Sequence, residues 1–216
     1  MNSCFGIGPG LKKLARLDKL ESLDLSWTGL TDDDMKMVAS FKSLKHLELQ
    51  KTRITDIGLN EITALDNLQS LNLSQTKITT NGLKSLIGLK QLKVLNLEGC
   101  SIAGPGLGEL KFLTKLDLAS TGFQDTGMKE LEELTHLQYL GFHNTRVTDL
   151  GMKHLAKMTE LRVLDVGGCF NVRTLPAKEL SALKNLRLII GSSEDQRMLR
   201  ETLPYCKPGV SRSRID

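Results

Sequence analysis

The sequence predicts an α/β solenoid: a curved right-handed superhelix with a parallel β-sheet on its concave face and short helices on its convex face. Three observations predict it. Leucines recur at Leu20, Leu44, Leu68, Leu92, Leu113, Leu137, Leu161 and Leu186, at intervals of 24, 24, 24, 21, 24, 24 and 25 residues. After each, an L-x-L segment alternates apolar and polar residues, the period of a half-buried strand. Each unit then closes on a G-L-x-x-L-x-x-L type spacing, which puts apolar residues on one side of a short helix. One such unit cannot bury its apolar face alone, but stacked units share a continuous core.

Taken in order, residues 1–19 form a partial first repeat. Residues 4–11 (CFGIGPGL) align with residues 100–107 (CSIAGPGL), so the chain opens inside a repeat whose strand is missing. Full units follow from residue 20, and the repeat region extends to residue 191. Residues 44–67 show the pattern well: Leu47 and Leu49 point inward, and His46, Glu48 and Gln50 point outward. A Thr-Asp pair such as Thr55-Asp56 offers side-chain oxygens to cap the helix start. The fourth unit is three residues short after Ile102, and Gly104, Pro105, Gly106 and Gly108 disfavour a long helix there. The seventh unit carries one extra residue near Gly168–Val172, with a helix expected from Pro176. Residues 192–210 read as a C-terminal capping helix and tail, the helix running from Ser193 to Leu203 and stopping at Pro204. Residues 211–216 read as flexible.

The ninth position of successive units holds Thr28, Thr52, Thr76, Cys100, Thr121, Thr145 and Cys169, and the alignment adds Cys4. There the chain leaves the strand, and a small side chain with a donor suits backbone groups that have lost their sheet partners. Cys100 and Cys169 are three units apart, roughly 14 Å at the usual strand spacing, beyond the ~7 Å reach of a disulfide. The cysteines therefore read as scaffold in a reducing compartment.

The repeats resemble the short leucine-rich repeats found in tandem in planctomycete and other bacterial proteins. They are also similar to the repeat region of F-box ubiquitin-ligase receptors. The resemblance rests on TRITDIGL at 52–59, TRVTDLGM at 145–152 and, more loosely, TGFQDTGM at 121–128, with LPYCKPGV at 203–210 similar to the "LPxCK" ending of the bacterial group. It implies a leucine-rich-repeat solenoid and a binding role.

The formal charge of +4 is too small to indicate a nucleic-acid binder. The chain has no apolar run of membrane-spanning length and no secretory leader, so a soluble cytoplasmic protein is expected. No nucleophile elbow, phosphate loop or zinc signature occurs, and the four histidines do not converge. No enzyme activity, cofactor or metal is expected. Asp24 and Glu48 would be neighbours on adjacent strands, where like charges raise a pKa, but on an open surface that cannot exclude water.

The expected function is protein–protein interaction through the concave face. Its middle outward column reads Asp24, Glu48, Asn72, Asn96, Asp117, Gly141 and Asp165, without a basic member. Glu98 and His143 belong to the next outward column, and His46 and Tyr139 also face outward. Trp27, the only tryptophan, lies at an outward concave position, and Asn144 sits beside His143 and Tyr139 in the sixth unit. The columns on either side, with Lys45, Lys93, Arg162, Arg187, Arg53, Lys77 and Arg146, are mostly basic. An acidic floor with basic margins suits a protein or peptide partner carrying a basic segment. The alternative is the substrate-receptor part of a larger assembly, such as an F-box type ubiquitin ligase or a repeat-fused kinase.

Overall fold

A computed structural model describes residues 8–14, 16–169, 171–172, 180–191 and 207–209. The chain divides into two compact units, Met1–Ile102 and Ala103–Asp216. The division falls at the short fourth repeat.

In the first unit the strands are β1 (Ser22–Asp24), β2 (His46–Glu48), β3 (Ser70–Asn72) and β4 (Val94–Asn96). They pair parallel and in register, with Leu23, Leu47, Leu71 and Leu95 opposite one another. The second unit contains β5 (Lys115–Asp117), β6 (Tyr139–Gly141), β7 (Val163–Asp165), β8 (Leu188–Ile190) and β9 (Lys207–Gly209). These also pair parallel and in order, aligning Leu116, Leu140, Leu164, Ile189 and Pro208. Each of β1–β8 has a buried central residue, and its first residue is exposed or half-buried. Side chains alternate across a strand, so one face of each row joins the core; the other is accessible along β1–β5, while the third residue of β6, β7 and β8 is buried.

The central leucines from Leu47 to Leu164 are 0 % exposed, as are Phe123 and Phe142, whose ring centroids lie 6.3 Å apart. These two rings are core, as their inward positions in the sequence predict. The return segments are short helical stretches, often 3₁₀ rather than α: Asp56–Leu59 runs into Asn60–Ala64, while Thr80–Leu86 is entirely 3₁₀. Units of 24 residues leave little length for more, and 3₁₀ geometry is used in short pieces. Gly8–Leu14 is helical.

The T-D-x-G-L motif acquires a physical reason. Thr55, Thr79 and Thr148 cap their turns by accepting from the backbone N–H two residues on, at 3.2 Å in each case. The aspartates do something the sequence did not indicate: each reaches the next repeat. Asp32, Asp56 and Asp125 accept from the N–H of Thr55, Thr79 and Thr148 at 2.8 Å. Their second oxygens accept from the hydroxyls of the same threonines at 2.7, 2.5 and 2.6 Å. The glycine makes room: a Cβ at Gly58, Gly82 or Gly151 would fall on Oδ1 of Asp32, Asp56 or Asp125.

Every hydroxyl of the threonine column donates within its own repeat, from Thr28 to Leu25 O at 2.7 Å through Thr145 to Phe142 O at 2.7 Å. The cysteines reach back instead: Cys100 Sγ donates to Leu73 O at 3.0 Å and Cys169 Sγ to Phe142 O at 3.2 Å. Burial pushes both thiols above their ordinary value.

The fourth repeat is loose where its glycines predict it. Gly104 and Gly106 have φ of 127° and 88°, and only the turn Leu107–Glu109 follows. Strand β9 lies within the segment expected to be tail. Proline has no N–H to donate, so Pro208 is tolerated in a strand that need not donate there. The helices expected from Pro176 and across Ser193–Leu203 lie outside the described residues, as do Cys4 and Cys206.

Candidate functional site

Each of β1–β7 ends in a turn that places one residue in the left-handed region: Trp27, Lys51, Gln75 and Gly99 in the first unit, and Ser120, Asn144 and Gly168 in the second. This conformation costs a non-glycine residue roughly 1–2 kcal/mol, and backbone bonds to the neighbouring repeat hold it. Trp27 N–H donates to Gln50 O at 2.8 Å, and Lys51 N–H to Ser74 O at 2.9 Å. The tight turn throws the Trp27 side chain outward, where it is 66 % exposed. Lys51 Nζ sits 3.7 Å from the centre of its ring, a cation–π contact between consecutive repeats.

The middle column of the open face has a structural task. Oδ1 of Asp24, Asn72, Asn96, Asp117 and Asp165 accepts from the backbone N–H two residues on, at 2.8 to 3.2 Å. Each thereby satisfies a donor where the strand ends. Hydrogen bonds from Ser26, first from its side chain and then its backbone, hold the Asp24 carboxyl below its ordinary 3.8. The expected like-charge effect of Glu48 does not raise it. Glu48 is one methylene longer and makes no such turn; the residue is half-buried.

In the first unit Asp24, Trp27 and His46 are exposed, and Glu48, Asn72, Asn96 and Glu98 are half-buried. They lie on consecutive strands of one open face. The second unit differs. Asp165 is 1 % exposed, so it is a buried turn-former and not a surface contact. Gly141 and Ala119 are buried as well. Tyr139 is half-buried; a Cβ at Gly141 would meet its hydroxyl at 2.8 Å and Asp117 Oδ1 at 3.1 Å, so both flank the space before that glycine. His143 Nδ1 donates to Gly167 O at 3.1 Å, and exposed Asn144 donates to Ser120 Oγ at 3.3 Å. His154 lies in the helical turn Lys153–Lys157 and His136 in the turn leading to β6, paired with Glu132 and Glu160 at 2.6 and 3.1 Å.

The sequence reading missed the cation over Trp27 and the turn-forming task of the middle column. A signal for the second was present: that column prefers Asp and Asn over the longer Glu, and only the shorter side chain reaches its own backbone. Among the described residues no three histidine, cysteine, aspartate or glutamate side chains gather as metal ligands. None of the helices there is long and apolar enough to cross a membrane.

The family described as "Leucine-rich repeat region" matches residues 7–141. The chain belongs to the leucine-rich-repeat family. The fold is shared with solved leucine-rich-repeat structures at low identity. An internalin C2 from Listeria monocytogenes is 21% identical, with a TM-score of 0.66 over 86% of this chain and 92% of that one. A TDR receptor is 18% identical, with a TM-score of 0.65 over 96% of this chain. The plant peptide hormone receptor RGFR1 in complex with RGF2 is 20% identical, with a TM-score of 0.52 over 80% of this chain. The chain spans 37% and 32% of those two receptor chains. A comparison with curated protein sequences finds no match.

Proposed function

We propose that this leucine-rich-repeat chain is a protein–protein interaction module whose partner lies on the open face of the strand rows, the concave side of the expected solenoid. One observation carries the reading. On β1–β4 the outward side chains, Val94 apart, are polar and exposed or half-buried, and a single large apolar side chain, Trp27, stands among them two-thirds exposed. Exposed tryptophan is enriched at binding hot spots. That a similar fold occurs in a receptor in complex with RGF2 supports a protein or peptide ligand. Asp24, Glu48 and Glu98 give the face of the first unit its sign, and a basic segment of the partner complements it. In the second unit Tyr139, His143 and Asn144 are the accessible contacts, with Asp117 beside Tyr139. The test is affinity capture with the parent chain and with Trp27→Ala, Tyr139→Ala and Glu48→Lys. Glu48 is chosen because its carboxylate supports no turn. Each variant is expected to lose partners while folding normally by circular dichroism. If all three retain every partner of the parent, the face is not the binding site.

A further inference from the structure

Beyond the acidic floor, the turn that follows each strand carries the opposite charge. In the first unit, the left-handed turn position and the position two residues later together cover eight residues. They hold three cations, Lys51, Arg53 and Lys77, and no carboxylate. All three cations are exposed, and none forms an ion pair among the described residues. The aspartates of the turns that follow aim their oxygens at backbone and hydroxyl groups rather than at these cations. Asp32 and Asp56 are held by Thr55 and Thr79, and Asp34 accepts from Thr31 N–H at 3.0 Å. Asp33 alone remains exposed on the first helical turn.

The backbone fixes these cations side by side. Arg53 N–H donates to Leu30 O at 2.9 Å and Lys77 N–H to Ile54 O at 3.1 Å, so the segments bearing them stack on consecutive repeats. Such segments lie about 4.8 Å apart. Lys51 is held over Trp27, which presents a flat apolar surface beside the charges.

We propose that the strip Trp27–Lys51–Arg53–Lys77 docks an acidic segment of a protein partner, one with closely spaced carboxylates and an apolar residue to lie against Trp27. The complement is one of charge, with geometry set by rigid turns. The strip shares Trp27 with the face proposed above but uses none of its carboxylates, and a basic ligand on that face is not required by it.

Trp27 is the sole tryptophan, so intrinsic fluorescence reports on the strip directly. The full chain is titrated with a short glutamate-rich peptide containing a central leucine, with the matching lysine-rich peptide, and with a short oligothymidylate. The glutamate peptide is expected to give a saturable change that weakens with salt, as screening demands. Arg53→Glu/Lys77→Glu should weaken it at least about tenfold, the scale of losing two charge-assisted contacts. Lys84→Glu/Lys90→Glu makes the same change in net charge at exposed positions elsewhere in the unit, and should alter affinity less than about twofold. Thermal melts confirm that both double variants fold. The proposal is overturned if the glutamate peptide gives no saturable response, if both double variants weaken it equally, or if the oligonucleotide binds in its place. Response to the lysine peptide, and its loss in Glu48→Lys, reports on the acidic floor instead, so the two readings fail separately.

Discussion

Replacing Asp56 with alanine isolates the device that ties one repeat to the next. Asp56 gives one oxygen to Thr79 N–H at 2.8 Å and the other to its hydroxyl at 2.5 Å. A hydrogen bond to a charged group contributes about 1.5–3 kcal/mol. Asp56 is half-buried, so the lower end applies, and two bonds make the expected loss about 3 kcal/mol. For a chain of this size that is a fall in melting temperature of about 6–12 °C, at about 2–4 °C per kcal/mol. Asp56→Asn keeps an acceptor for the Thr79 N–H and lets the hydroxyl turn to accept from the amide, so it should cost about 1 kcal/mol. Asp66→Ala, at an exposed loop acid, should stay within about 0.5 kcal/mol. Gly82→Ala places a Cβ on Asp56 Oδ1, so it breaks the same contact. The double variant Asp56→Ala/Gly82→Ala should therefore lose less than the sum of the singles. Urea unfolding followed by circular dichroism measures each value, and hydrogen exchange at the Thr79 amide reads the bond itself. The reasoning is refuted if Asp56→Ala matches Asp66→Ala, or if Thr79 keeps its protection in Asp56→Ala.

Two further outcomes follow from the same geometry. Cys100 and Cys169 should resist iodoacetamide until the chain unfolds, as labelling resolved by mass spectrometry along a urea series would show; their raised folded-state values stabilise the native state below pH about 9, and this contribution is lost as pH rises through the folded value. Gly127→Ala should destabilise by about 1–3 kcal/mol through overpacking, because its Cβ would come within 2.8 Å of Phe123 Cδ2 and 2.9 Å of Gly104 Cα; an unchanged denaturation midpoint would contradict this.

How far the site was legible depended on reach. That Phe123 lies inside follows from its column, which holds Ile54, Ile78 and Val147 in other repeats; that Trp27 stands outside does not follow from period, because alternation puts it on the face of Leu23 and Leu25 and only the left-handed turn carries it outward. That Asp165 is buried does not follow either, since its column is polar in every repeat where it has a side chain. Burial there is decided by what neighbouring strands place over it. The acidic floor is similarly qualified: at Asp24 and Asp117 one oxygen already serves the turn, leaving Glu48 as the member of its column without that duty.

The sequence by itself determined the repeat, the strand register, the inward leucines and the loose fourth unit, because all are consequences of spacing along one chain. It also marked T-D-x-G-L as special without saying why. Only the tertiary structure decided the partners of those residues, because they belong to the next repeat: Asp56 with Thr79 and Gly82, Cys100 with Leu73, Lys51 with Trp27. A contact between residues some two dozen positions apart depends on how two turns stack, and periodicity carries no information on which atom of one meets which atom of the other.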